Sequence, residues 1–132
     1  MSTFKSFEEI ESWKASRELC KMIFTHINKP GFSRDFALKD QINRASGSIM
    51  DNIAEGSGRG GNREFVLFLG YSNGSCSEVK SQLYRAFDRN YVSGDDFNMM
   101  INIANNIGKM NGRLIDYLNN SELKGRKFIS RS

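Results

Sequence analysis

From Gly56 to Arg63 the chain reads Gly-Ser-Gly-Arg-Gly-Gly-Asn-Arg, and Gly56, Gly58 and Gly61 satisfy a G-x-G-x-x-G spacing. A dinucleotide fingerprint of that form follows a strand, but this run follows a helical pattern. A Walker-type phosphate loop continues with Lys and then Ser or Thr, where this chain has Asn62 and Arg63. What survives is a loop carrying Arg59 and Arg63 beside the start of a helix, where exposed amides and guanidinium groups can hold a phosphate. A turn with solvated arginines is the simpler reading of the same residues.

A second constellation comprises Asn52, Glu55, Arg59, Ser75 and Glu78. Its members lie close to apolar stripes, and a carboxylate buried there needs a partner because an unpaired buried charge costs several kcal/mol. A structural polar network is therefore expected, with a ligand site lined by Glu55 and Glu78 as the alternative. Metal chemistry of the di-iron bundle type needs a Glu-x-x-His pair on each of two helices. The chain has 1 His, His26, and the residue three before it is Ile23. No metal site and no cofactor are expected, and His26 reads as a helix-terminal residue whose imidazolium form would suit the negative dipole end. Cys20 and Cys76 fall on apolar stripes and read as inert thiols. No catalytic residues emerge, and the chain is read as non-enzymatic.

The third chemically distinct region is the end of the chain. Residues 121–132 carry Lys124, Arg126, Lys127 and Arg131 against Glu122, a net +3. The formal charge of the whole chain is +4, so residues 1–120, with 15 basic and 14 acidic side chains, are nearly neutral. The tail is the basic element, and a flexible polycation is the expected form of a weak, salt-sensitive contact with RNA or another polyanion.

With 132 residues, 39% of them apolar and 26% charged, the composition fits one globular domain and is too apolar for a disordered chain. Two cysteines are too few for a disulfide-stapled scaffold and point to a reducing, cytoplasmic setting. The longest apolar run, Phe65 to Leu69, is far short of the ~20 residues of a membrane helix. Glu8 and Glu9 stand where a signal peptide would be apolar, so neither export nor a membrane partner is expected.

The elements that must position these residues read at helical period. With the single proline at position 30 and no alternating β-branched runs, four helices are predicted. The first spans about Phe7 to Asn28, capped by Ser6 with Glu9 three residues on, its apolar face made by Ile10, Trp13, Cys20, Ile23, Phe24 and Ile27. The second spans about Phe36 to Glu55, with Ser33 or Asp35 as cap, and stops at Gly56. The third, capped by Asn62, reaches about Asn90 on a stripe of Phe65, Phe68, Leu69, Cys76, Val79, Leu83 and Phe87. The fourth follows the Ser93/Asp96 cap from Gly94 or Asp95 to about Leu118.

Short loops between four such rods predict an all-α, antiparallel up-and-down four-helix bundle over residues 1–120, with 121–132 as the basic tail. Gly47, Gly70, Gly74, Gly108 and Gly112 sit inside the helices. The four-residue spacing of the last two pairs lets a neighbouring backbone approach, and close packing within one subunit is the expected use. The first turns of the third helix are apolar nearly all round, more than one subunit can cover, which points to burial against another copy.

Gln41-Ile42-Asn43-Arg44-Ala45, Ser48-Ile49, Asn52-Ile53-Ala54-Glu55-Gly56, Arg59, Glu64-Phe65, Phe68-Leu69, and Gly74-Ser75 with Glu78 and Leu83 resemble the 23S rRNA intervening-sequence proteins. Phe7-Glu8 with Trp13, and Ile107-Gly108-Lys109-Met110, extend the resemblance over about residues 4–118. It implies an all-α bundle assembling as a homopentamer, without established enzymatic activity, encoded in some bacteria inside insertions of the large ribosomal RNA gene. The family is also similar in fold to the accessory protein of diversity-generating retroelements, a basic pentamer that binds nucleic acid. The chain departs from the family in having Asn43-Arg44 where paired arginines are usual and Met50 where a proline is usual.

These readings converge on a homo-oligomer, a pentamer as the resemblance implies, that binds RNA or DNA through Lys124, Arg126, Lys127 and Arg131 and secondarily through Arg59 and Arg63. The competing expectation is a protein-protein interaction scaffold whose tail only solubilises it.

Overall fold

The computed structural model describes residues 4–131, with side chains described through residue 121. Four α-helices follow in order: α1 (Glu11–Ile27), α2 (Phe36–Ser57), α3 (Asn62–Asp88) and α4 (Gly94–Arg131). Short 3-10 turns at Phe7–Glu9 and Phe32–Arg34 precede α1 and α2, and there is no strand among the described residues. The helices contact one another around a ring, α1 on α2, α2 on α3, α3 on α4, and α4 on α1.

The core is the sum of four amphipathic stripes. Leu19, Ile23 and Ile27 come from α1, and Leu38, Ile42, Ile49 and Ile53 from α2. Phe65, Leu69, Cys76, Val79 and Leu83 come from α3, and Phe97, Met100, Ala104, Ile107 and Leu118 from α4. Phe24 departs from its predicted place in this core: it is 63% exposed. Phe24 lies one position beyond Ile23, and a rotation of about 100° per residue is enough to carry it off the buried face. Phe87 is 40% exposed, with its ring against Phe97, while its neighbour Ala86 is fully buried.

Two predicted caps form. Asp35 accepts from the Leu38 amide at 3.3 Å, and Ser93 Oγ accepts from the Asp96 amide at 3.1 Å. Two do not. The chain from Phe7 to Glu9 takes a 3-10 turn, and α1 starts at Glu11 after Ile10; Glu9 accepts instead from the Lys5 amide at 2.6 Å. Gly61, not Asn62, is the residue that precedes α3. The end of α2 is also later than predicted: it runs through Gly56 to Ser57, and the chain reverses at Gly60, whose φ of +87° suits a residue without Cβ.

Candidate functional site

Along the contact between α2 and α3, hydrogen bonds join residues from opposite walls. Ser72 Oγ donates to the Ile49 carbonyl at 2.9 Å, Ser75 Oγ donates to Ser48 Oγ at 2.9 Å, and Arg85 donates to Gln41 Oε1 at 2.9 Å. Between the last two bonds the helices part into an open trough of about 470 Å³, floored by Ala45 and Gln82 and flanked by Arg44 and Glu78. Spacings of three and four residues on each helix put Gln41, Arg44, Ala45 and Ser48 on one wall and Ser75, Glu78, Gln82 and Arg85 on the other.

The polar residues singled out from the sequence divide into separate groups around this trough. Asn52 Nδ2 donates to the Ser48 carbonyl at 2.8 Å and to Ser48 Oγ at 2.9 Å, so Asn52 and Ser75 meet through Ser48. Arg59 instead pairs with Glu55 at 2.8 Å, one turn back on an exposed surface, and its guanidinium lies 4.9 Å from the centre of the Phe68 ring. Glu55 and Glu78 are both exposed, so neither needs the buried partner anticipated for it. Glu78 holds no ion pair or hydrogen bond among the described residues. Arg63 is exposed in the first turn of α3, one turn from the loop that carries Arg59. The side chains of Lys124, Arg126, Lys127 and Arg131 lie outside the described residues.

The remaining titratable candidates are held by the fold. His26 is buried, with Nε2 at 3.8 Å from Asp96 Oδ2. Burial first, and then nearby Lys29, lower its pKa against the opposing pull of Asp96. Cys76 Sγ donates to the Ala104 carbonyl at 3.0 Å and Cys20 Sγ to the Ser46 carbonyl at 3.2 Å. Burial raises both thiols above their ordinary value, which disfavours the thiolate.

Sequence reasoning missed a buried polar group between α3 and α4. Asn111, fully buried, donates from Nδ2 to Ser72 Oγ and to Asn73 Oδ1, each at 3.0 Å. The signal was an Asn at an inward position, between Ile107 and Leu118 of the same stripe. The interior glycines are also placed differently from expectation. A Cβ at Gly47, Gly70, Gly74, Gly108 or Gly112 would meet nothing within 4 Å, so these positions do not serve close packing within the chain. Gly56 does: a Cβ there would lie 2.6 Å from Phe68 Cβ.

Helices in a closed ring around one apolar core, with polar seams and no strand among the described residues, define an all-helical four-helix-bundle protein. The chain matches the 23S rRNA-intervening sequence protein family over residues 8–113, most of its length, and it belongs to that family. A crystal structure at 1.70 Å of a protein of unknown function from the S23 ribosomal protein family of Bacteroides thetaiotaomicron VPI-5482 has the same fold. The TM-score is 0.71 at 19% identity, covering 79% of this chain and 97% of that one. No curated protein matches the chain. No helix is long and apolar enough to cross a membrane among the described residues.

Proposed function

We propose that the protein is a non-enzymatic homo-oligomer, a pentamer by its family resemblance, that binds RNA or another nucleic acid in the cytoplasm. The bundle is antiparallel and up-and-down. Partner numbers across the α2/α3 contact fall on one helix as they rise on the other, from Ser48 with Ser75 to Gln41 with Arg85.

The observation that carries self-association is the outer face of α3. Residues 65–77 of α3 include no charged side chain, and the exposed positions among them, Leu67, Gly70, Tyr71, Gly74 and Ser77, recur at helical spacing, with Leu67 at 47% and Tyr71 at 51% exposure; Glu64 and Glu78 bound this uncharged stretch. A solvated helix face ordinarily carries charge, as α1 does with Glu11, Lys14, Arg17, Glu18 and Lys21. Nucleic-acid binding is supported by the family's relation to ribosomal RNA in its name and by the +3 of residues 121–132. Five copies would multiply individually weak contacts.

The partnering of Arg59 favours a second reading, a scaffold for another protein. Arg59, the arginine of the α2/α3 loop, is already occupied by Glu55 and Phe68 and is less available to a phosphate. Deleting residues 121–132 and measuring RNA affinity at two salt concentrations separates the readings. Loss of affinity together with a shallower salt slope supports the tail, and full-length protein without RNA affinity at low salt leaves the scaffold. Sedimentation of the same two proteins reports the subunit number.

A further inference from the structure

We propose that the trough between α2 and α3 is a guanine-binding site, an inference that rests on the nucleic-acid reading above and names the base it selects. The trough is closed at its ends and open in the middle. Ser75 with Ser48 ties one end, and Arg85 with Gln41 ties the other. In the middle, Arg44 on α2 and Glu78 on α3 flank the same space without an ion pair between them. The Arg44 guanidinium sits instead on Asp40 at 3.0 Å, on a surface where such a pair contributes little and is readily exchanged. On the floor, Gln82 is only 9% exposed and its Oε1 lacks a hydrogen-bond donor among the described residues. Buried amide oxygens are ordinarily paired.

A solvated carboxylate on one wall, unpaired among the described residues, and an exchangeable guanidinium on the other suit a planar group with two adjacent donors on one edge and two adjacent acceptors on another. Guanine has that pattern: N1–H and N2–H2 face a carboxylate, while O6 and N7 accept a guanidinium fork. The other bases do not. Adenine and cytosine set a ring-nitrogen lone pair beside their amino group, and uracil flanks its N–H with two carbonyl oxygens, so each turns an acceptor toward Glu78. The base edges of a single strand are open to such contacts, unlike those of an RNA duplex. Ser48 Oγ already accepts from Ser75 and Asn52, so its own proton is free for a ribose or phosphate oxygen at the trough's end.

Fluorescence anisotropy with short oligouridine strands carrying one central guanosine, inosine or adenosine tests the base preference. The guanosine strand should bind at least about fivefold tighter than the adenosine strand, with inosine, which lacks the N2 amine, between them. Glu78→Gln should erase that preference without weakening all-uridine binding, because it removes a negative charge that faces the acceptors of uracil. Titration of the 15N-labelled protein with guanosine or adenosine 5′-monophosphate reads the site without the polymer, and only the former should shift the backbone amides of Ala45 and Gln82. Strands that bind without a guanosine preference, or a preference that survives Glu78→Gln, overturn the site and leave the nucleic-acid reading standing. Guanosine-selective shifts without strand binding support the site while removing that reading. Equal shifts from both nucleotides, or none from either, overturn the site.

Discussion

Gly56 and Phe68 touch where α2 turns into α3: a Cβ added to Gly56 would sit 2.6 Å from Phe68 Cβ and 3.2 Å from Phe65 Cδ1. Both aromatics are fixed in the first turns of α3, so the two helices cannot part without exposing Phe65. Gly56→Ala gains up to about 1 kcal/mol of helix propensity but forces an overpacked contact that costs about 1–3 kcal/mol. The expected outcome is a net loss of stability, seen as a lower urea midpoint with an unchanged slope.

Gly74 presents the opposite case, since a Cβ there meets nothing within 4 Å and the position is exposed in mid-helix. Gly74→Ala should raise the stability of the dissociated bundle by about 0.5–1 kcal/mol. If α3 lays this face on a second copy, the same substitution shifts sedimentation toward smaller species. A stabilised protein with unchanged sedimentation would place the subunit contact elsewhere.

Helix existence was legible from periodicity because the buried positions of each rod recur at three and four residues, as Leu38, Ile42, Ile49 and Ile53 do. Caps were legible where a side chain satisfies a specific amide, at Asp35 and Ser93. The start of α1 was not, since Ser6 and Glu9 fit a capping box in one dimension while the chain takes a 3-10 turn. Gly56 reads as a helix stop by composition, but its role depends on Phe68, twelve residues on and brought back by the turn at Gly60. The trough was half legible. Ser75 and Glu78 were visible as polar residues beside a stripe, whereas Arg44, Ser48 and Gln82 become neighbours of theirs only once the two helices are docked.

Asp35 ties the α1/α2 connection to the α3/α4 connection, accepting from Arg89 at 2.6 Å and from the Tyr91 hydroxyl at 2.9 Å, while Tyr91 stacks on Phe32. The Tyr91 hydrogen bond foremost, against the cost of burial, and then Arg89 and the Leu38 amide hold its carboxyl below the usual carboxylate range. The unfolded chain therefore takes up this proton first as pH falls. Stability from the clasp is present above the ordinary value near 3.8 and is lost as pH drops through the lower folded value. Asp35→Ala should cost about 1–2 kcal/mol near neutrality through the cap alone. Asp35→Asn keeps a cap, costs less, and flattens the acid limb of Tm against pH.

His26 gives a second pH dependence, in a higher window. It is buried between Asp96 at 3.8 Å and the charge of Lys29, and burial, its leading influence, lowers its pKa. Between the unfolded value near 6.5 and the lower folded value, the unfolded chain carries the extra proton. The contribution of neutral His26 is complete above that range and fades as pH falls through it. His26→Gln should flatten Tm against pH between the Asp35 window and neutrality, and Asp96→Asn, which removes the one influence raising the folded value, should extend the fall further toward low pH. Imidazole resonances followed by NMR through the same range would show directly whether the folded value lies below the unfolded one.

Asn111 couples α4 to α3 through a fully buried carboxamide whose Nδ2 reaches both Ser72 Oγ and Asn73 Oδ1, while Ser72 passes its proton to the Ile49 carbonyl of α2. One side chain thereby links three helices across a core otherwise lined by Ile49, Leu69 and Ile107. Asn111→Ala removes the donor, leaves Ser72 and Asn73 short of a partner and opens a void, so a loss of about 1–3 kcal/mol is expected. Asn111→Leu restores volume but not the donor, so the difference between the two variants reports the packing and the loss that remains in Asn111→Leu reports the hydrogen bonds. Ser72→Ala should be partly redundant with Asn111→Ala. A double mutant as unstable as the sum of the singles would mean that the two residues act independently and that the link does not operate as a unit.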